Sequence, residues 1–394
     1  MRAGLPPSAG PFAIPSGACQ PAAAGPTQDA ANVTTPDAQA LAAELLAFMQ
    51  RTDATDAQFG AFALRAYARQ FQHNPAFQRY CVQQGRTPRT VRHWHDIPAV
   101  PIDGFKDLTL SCVPAEQCER VFMTSGTTRA DARGRHFHPD LRVYDASMTL
   151  NFAPRFMRGD AKIRMGVLFP TEAMMPNSSL AHYLALALEH FGAPGSRYLV
   201  GPDGLDVDGL CAMLDEACVG GAPFALLGAS YGFVHAMDAL RERGRRCVLP
   251  PGSRVLDTGG FKGQSREMPA SEFYRALGDT FGVAAHDCIN MYGMTELSTQ
   301  FYDEGNASQP AVKSGPHWIR SRVVDPMTGQ DVAPGERGIL AHTDLANLNS
   351  VVTILTEDVG VAVDGGFRLL GRAEGAQAKG CSLAMDAFLA AARA

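Results

Sequence analysis

The side chains best suited to chemistry gather in two short segments. The first is Val121-Phe-Met-Thr124-Ser125-Gly126-Thr127-Thr128, followed by Arg129. An apolar strand end runs into hydroxyl residues around one glycine. Such a turn can present backbone N–H groups and hydroxyls to phosphate oxygens. It lacks the GxxxxGK[ST] spacing of a Walker loop. The second segment is Asn290-Met-Tyr292-Gly293-Met294-Thr295-Glu296, at the end of the apolar run Asp287–Met291. Gly293 permits a tight turn, and a carboxylate such as Glu296 beside a phosphate loop can hold Mg²⁺ against phosphate oxygens. Taken singly, the first segment reads as an ordinary Ser/Thr turn and Glu296 as a helix-start acid.

Other reactive residues are less distinctive. Gly228-Ala-Ser230-Tyr231-Gly232 fits the GxSxG pattern of a nucleophile elbow, with His317 or His342 as later triad candidates. His93-Trp-His95 and His136-Phe-His138 would share a strand face as metal ligands, but no third ligand is placed by spacing, so they read as surface or packing residues. The nine cysteines form no CxxC pair, which argues against a zinc knuckle or a disulfide framework and fits a reducing cytoplasm. On residue type alone, Cys381 is a small buried hydrophobe.

The elements that must position these groups alternate. Met165–Phe169, Phe224–Leu227, Arg254–Leu256 and Asp287–Met291 read as buried strands. Between them Ser179–Phe191, Gly209–Ala217, Tyr231–Arg243 and Ala270–Phe281 read as helices, which predicts an α/β fold with largely parallel sheets. Residues 37–95 read as a helical N-terminal subdomain, with Asp37 capping a first helix and Asp53 or Asp56 a second. Residues 96–315 form the α/β core, and 316–394 a small β-rich region with a short tail, helical over Leu383–Ala391. Residues 1–36 are Ala/Pro/Gly-rich and read as a flexible arm without a signal peptide. The 35 basic and 40 acidic residues give a net charge of −5, which argues against an electrostatic nucleic-acid binder. No apolar stretch approaches the length of a membrane span.

In combination the motifs are specific. TSGTT at Thr124–Thr128 followed by YGMTE at Tyr292–Glu296 resembles the ANL superfamily of adenylate-forming enzymes. Thr258-Gly259-Gly260, Leu355-Thr-Glu-Asp358-Val-Gly360 and Gly371-Arg372-Ala-Glu374 fall in the order of that family's further motifs. The resemblance implies the layered α/β fold of the family's N-terminal domain. It implies that Thr124, Ser125, Gly126, Thr127, Thr128, Gly259, Gly260, Tyr292, Gly293, Asp358 and Arg372 bind ATP, that Thr295 touches the α-phosphate, and that Glu296 holds Mg²⁺. The sequence ends soon after Glu374, so the mobile C-terminal domain and its lysine are expected to be missing. Lys262, in Gly259-Gly-Phe-Lys262-Gly263, is the candidate replacement.

The short layout, with Ile97-Pro-Ala-Val-Pro101 and Lys379-Gly-Cys381, is similar to LuxE-type acyl-protein synthetases. That resemblance implies transfer of the acyl group from acyl-AMP to Cys381 and on to an acyl reductase or carrier protein. Cys381 is expected in an exposed turn, its thiol pKa lowered by Lys379 and Arg372. Ser230 and Tyr231 are expected to line the carboxylic acid pocket. A ligase of the phenylacetate–CoA type, using coenzyme A directly, a serine hydrolase at Ser230, and an inactive nucleotide-binding subunit are the alternatives.

Overall fold

Three N-terminal helices are built from amphipathic runs: α1 (Pro36–Met49), α2 (Asp56–His73) and α3 (Pro75–Gln83). The computed structural model describes residues 35–125, 133–260 and 265–393. The caps differ from the sequence reading. Thr35 caps α1, its hydroxyl accepting from Ala38 N, and Thr55 caps α2 in a reciprocal box with Gln58. Asp37 and Asp56 instead lie in the first turns, where their charge suits the helix dipole.

The chain then lays down β1 (Val100–Pro101), the single-turn α4 (Gly104–Asp107), the hairpin β2 (Arg120–Met123) and β3 (Arg135–His138), and α5 (Arg142–Phe152). Next come β4 (Arg164–Leu168), α6 (Ser179–Phe191), β5 (Arg197–Tyr198), the ribbon β6 (Val200–Gly201) and β7 (Gly204–Leu205), and α7 (Val207–Gly220). The core continues with β8 (Phe224–Gly228), α8 (Ser230–Glu242), β9 (Arg254–Asp257), α9 (Ala270–Phe281), β10 (Cys288–Tyr292) and β11 (Phe301–Tyr302). The last part holds β12 (Val312–Lys313), β13 (Ile319–Val324), β14 (Arg337–Asp344), β15 (Thr353–Val363), β16 (Gly366–Arg372) and α10 (Gly375–Arg393).

One sheet runs β11-β10-β9-β8-β4-β5, parallel throughout except for β11. Its strands are apolar on both faces because helices cover both. Met165, Val167, Leu227 and Leu256 pack with Phe152 and Leu184 of α5 and α6. Leu226 and Val255 pack with Phe233 and Leu277 of α8 and α9. This is the parallel α/β core that strand–helix alternation predicts.

The second sheet runs β12-β16-β15-β14-β13 and is antiparallel, with β1 added in parallel beside β15. It shares one apolar cluster with the N-terminal helices and α10: Phe59, Tyr67 and Phe77 meet Leu340, Ile354 and Phe388. The helical N-terminus and the β-rich C-terminal region therefore have a common core. Phe388 is fully buried, which contributes about 2–3 kcal/mol to seating α10. Its ring lies so close to Gly104 that a Cβ there would be 2.6 Å away. Among the described residues, no helix is long and apolar enough to cross a membrane.

Candidate active site

In a parallel sheet, the loops that leave the carboxyl ends of the strands converge on one edge. Here β8 leads to Ser230, β9 ends at Asp257 before Thr258-Gly259-Gly260, and β10 ends at Tyr292 before Gly293–Glu296. Gly259 and Gly260 have φ of 71° and 83°, conformations that favour glycine.

Asp257 fixes this turn from beneath. Its buried carboxylate accepts from Ser230 Oγ at 2.7 Å, Asn290 Nδ2 at 2.8 Å, Tyr274 OH at 3.2 Å and Gly259 N at 3.2 Å. Burial raises its pKa, and those donors oppose the rise. Asn290 is held in turn by Lys313 Nζ, 2.5 Å from its Oδ1 and 2.7 Å from Asp303. Ser230 does sit between a strand and a helix, as an elbow serine would. Its hydroxyl, however, is committed to Asp257 rather than to a histidine. His317 bonds to Phe48 O, and His342 bonds to Ser321 Oγ and faces Tyr292 OH. Tyr231 is half-buried with its ring 6.3 Å from that of Phe169, and burial pushes its phenol up to about 12.

The β2–β3 hairpin brings the first segment to this edge. Thr124 N donates to Gly134 O at 3.0 Å, and Gly134 N donates to Thr124 Oγ1 at 2.9 Å. Ser125 is exposed at the hairpin end. Gly126, Thr127, Thr128 and Arg129 lie outside the described residues, as does Lys262.

Glu296 faces the same hairpin. A Cβ on Gly134 would lie 2.7 Å from Glu296 Oε1 and 3.1 Å from Thr124 Cγ2. The Glu296 side chain is buried, which lifts its carboxyl to about 7. Its own backbone N–H, Lys106 and Arg372 favour the ionised form, and Asp103 opposes it. The loop carrying it is bolted down by residues that sequence motifs miss. Asn347 Nδ2 donates to Glu296 O at 2.9 Å, and Asp344 accepts from the backbone N–H groups of Ser298 and Thr299. His136 bridges Thr295 O at 3.0 Å and Ser350 Oγ at 3.0 Å. Burial drops its pKa to about 4, so it is a neutral strut.

The third group ties the two sheets together. Tyr292 OH donates to Asp358 Oδ2 at 2.7 Å, and Arg372 Nε lies 3.3 Å from Asp358 Oδ1. Asp358 and Arg372 are register partners in β15 and β16. Arg372 also donates to Glu357 at 3.0 Å. A carboxylate held beside an exposed arginine and a tyrosine suits a sugar diol. A buried glutamate facing a hydroxyl turn suits a phosphate-bound cation.

Comparison with known proteins identifies the family. The family model for acyl-protein synthetase, LuxE, matches residues 28–390. The chain belongs to the LuxE acyl-protein synthetase family. It is therefore an enzyme, a ligase of the adenylate-forming class, and membership supports activation of an acid by adenylation. Among its relatives, the LuxE-family long-chain-fatty-acid–luciferin-component ligase of Vibrio harveyi is 23% identical over 336 residues, covering 82% of this chain and 85% of the relative. The ligase of the same name from Aliivibrio fischeri is 22% identical over 297 residues, covering 74% of this chain and 75% of the relative. An open form of 2-hydroxyisobutyryl-CoA ligase, solved with 2-HIB-AMP and CoA, shares the fold at a TM-score of 0.59 and 15% identity, over 82% of this chain and 76% of that one.

Within this LuxE-family chain, the tail departs from the sequence reading. Cys381 is not in an exposed turn. It lies within α10, is 8% exposed, and its Sγ donates to Thr356 O at 3.9 Å. Its thiol pKa is pushed up to about 11, not down, first by burial and then by the negative charge of Glu357 and Asp103. The motif Lys379-Gly-Cys381 reads as a turn because of its glycine, but the Ala-rich flanks on both sides favour helix. His136 and His138 are buried with their ring centroids 4.2 Å apart, whereas His93 and His95 are exposed, His95 stacking on Trp94.

Proposed function

We propose that this enzyme uses ATP to convert a carboxylic acid into an acyl-AMP and then carries the acyl group as a thioester on Cys381, for delivery to an acyl reductase or carrier protein. The observation that carries this reading is the convergence of Thr124–Gly134, Glu296 and the Tyr292–Asp358–Arg372 cluster on one edge. The names of the curated relatives favour a long-chain fatty acid as substrate.

The residues fit the roles. Asp358 and Arg372 would hold the ribose hydroxyls, and the Thr124–Ser125 turn, with Thr295, would face the phosphates. Glu296 would hold Mg²⁺, since Mg²⁺ commonly takes one or two carboxylates and completes its shell with phosphate oxygens and water. When bound, Mg²⁺ would neutralise the charge that develops on the α-phosphate and the departing pyrophosphate. Asp257 and Asn290 keep the glycine turn in place beside the acyl group, and His136 and Asn347 keep Thr295 and Glu296 from drifting. Such preorganisation lowers the reorganisation needed as charge builds.

The burial of Cys381 favours a second reading, transfer of the acyl group to coenzyme A. One experiment separates the two: intact-protein mass after incubation with ATP, Mg²⁺ and a panel of fatty and aryl acids without coenzyme A, for wild type and Cys381→Ala. An acyl-sized increment on wild type alone, removed by hydroxylamine, is the expected result. Acid-dependent pyrophosphate release with no increment would move the acceptor off Cys381. Cleavage of esters without ATP, lost in Ser230→Ala, would overturn adenylation.

A further inference from the structure

Strands β1 and β16 lie end to end along one edge of β15. Ile102 N donates to Leu355 O at 2.9 Å on the β1 side, and Ala373 N donates to Glu357 O at 2.8 Å on the β16 side. The sheet is broken between them. Asp103 and Lys106, paired at 2.5 Å, flank the break from α4, and Arg372 flanks it from β16.

The register of β15 shifts between Leu355 and Gly360, and there Glu357 lines the same cleft as Leu355 and Cys381. Leu355 and Val359 pack in the same apolar cluster as Cys381. Asp358 reaches Tyr292. Two consecutive carboxylates thus share Arg372, one of them lining the cleft with the thiol and the other bonded to Tyr292. A cleft of about 210 Å³ opens at the break, and Asp103, Thr356, Glu357, Cys381 and Ser382 line it.

Resting on the acyl-transfer reading above, we propose that Glu357 is the catalytic base that takes the Cys381 thiol proton during acyl transfer across this break. The sulfur's electron pair forms a C–S bond to the acyl carbonyl carbon of acyl-AMP. The C–O bond to the phosphate breaks, and AMP leaves with that pair. The S–H bond breaks as the thiol hydrogen turns from Thr356 O to the carboxylate of the next residue, Glu357, and the proton passes from there to water.

The electrostatics make such a base necessary. A thiol with a pKa pushed up to about 11 is almost wholly protonated at neutral pH, so its proton must leave as the sulfur attacks. Burial raises the Glu357 carboxyl as well, toward a useful range for a base, while Arg372 and Lys106 favour its ionised form. The same negative charge that suppresses free thiolate supplies the acceptor for the proton. Cys381 is thus shielded from stray electrophiles until an acyl group arrives.

The test uses the full-length protein with Glu357→Gln and three readouts: acid-dependent ATP–pyrophosphate exchange, single-turnover acylation of Cys381 by mass, and alkylation of Cys381 by iodoacetamide by peptide mapping. With Glu357 as base, Glu357→Gln slows acylation about 100-fold and flattens its acidic limb. Alkylation speeds up, because a negative charge beside the thiol is gone. Glu357 also pairs with Arg372, so pyrophosphate exchange, a step that does not involve the thiol, is measured at saturating ATP to report that the variant is folded, and Glu357→Asp restores part of the acylation rate. A Gln variant whose acylation rises together with its alkylation would overturn the assignment and leave Glu357 a purely electrostatic neighbour. A wild-type protein that exchanges pyrophosphate without acylating Cys381 would overturn the acceptor and the base together. One with no exchange for any acid would overturn the adenylation reading itself.

Discussion

Tyr292 and Asp358, 66 residues apart in the chain, meet through a 2.7 Å hydrogen bond that joins the end of the parallel sheet to the antiparallel one. Arg372 Nε stands 3.3 Å from the other carboxylate oxygen. Burial raises the Asp358 carboxyl, and Arg372 and Tyr292 oppose the rise. Two neighbours therefore hold the carboxylate in one orientation with lone pairs to spare for a diol. Hydrogen bonds to a charged group contribute about 1.5–3 kcal/mol, so Asp358→Ala should raise the KM for ATP about 10- to 100-fold in pyrophosphate exchange. The KM for the acid should change far less. A KM for ATP that does not move would remove Asp358 from the nucleotide site.

Glu296 predicts opposite pH responses for activity and stability. Its folded carboxyl titrates at about 7 against an ordinary 4.5, because burial favours the neutral form. That stabilisation is full below about pH 4.5 and is lost as pH rises through 7. At pH 8 the charged side chain costs on the order of 3 kcal/mol. Glu296→Gln should therefore raise resistance to urea at pH 8 and change it little at pH 4.5. Metal binding needs the ionised form, so wild-type exchange should fall away below about pH 7, and more Mg²⁺ should move that limb lower. Equal stabilisation of the variant at both pH values would refute the buried-charge account.

Part of this site is legible in the order of the motifs rather than in any one of them. Thr124, Tyr292, Glu296, Asp358 and Arg372 stand out because their short motifs follow one another as in the adenylate-forming family, and the strand–helix alternation from 164 to 292 predicts the parallel core of the structure. The supports were not readable. Asp344, Asn347 and His136 act through backbone groups of residues 295–299, and nothing local to them marks that contact. Gly380 makes the segment around Cys381 read as an exposed turn. Burial of Phe388 decides instead, seating α10 as one helix with the thiol inside. Packing partners far apart in sequence leave no local signature at either residue.

Gly134 tests how closely the hydroxyl turn and the carboxylate must fit. A methyl group there would come within 2.7 Å of Glu296 Oε1, nearer than real contacts allow. Overpacking of this kind costs about 1–3 kcal/mol when nothing yields. The end of the glutamate is the softest atom present, so it should swing aside. Gly134→Ala should fold, and the Mg²⁺ concentration for half-maximal exchange should rise about tenfold, by analogy with lost outer contacts at metal sites. Unchanged Mg²⁺ dependence would separate Glu296 from the cation.

Ser230 separates a structural hydroxyl from a nucleophile. It is one donor in the set that holds the buried carboxylate of Asp257, with Asn290, Tyr274 and Gly259 supplying the rest. Ser230→Ala leaves that carboxylate short of a partner, at a cost of about 1–3 kcal/mol. The missing donor favours the ionised form of Asp257, so its raised pKa should rise further. The loss of stability should therefore be larger at pH 8 than at pH 4, where the carboxyl is increasingly protonated. Acylation should survive at a reduced rate, because the glycine turn keeps its remaining bonds. An active-site serine would behave differently: removal would abolish turnover outright and leave stability nearly unchanged at both pH values. Urea unfolding at the two pH values, read beside single-turnover acylation, distinguishes the outcomes.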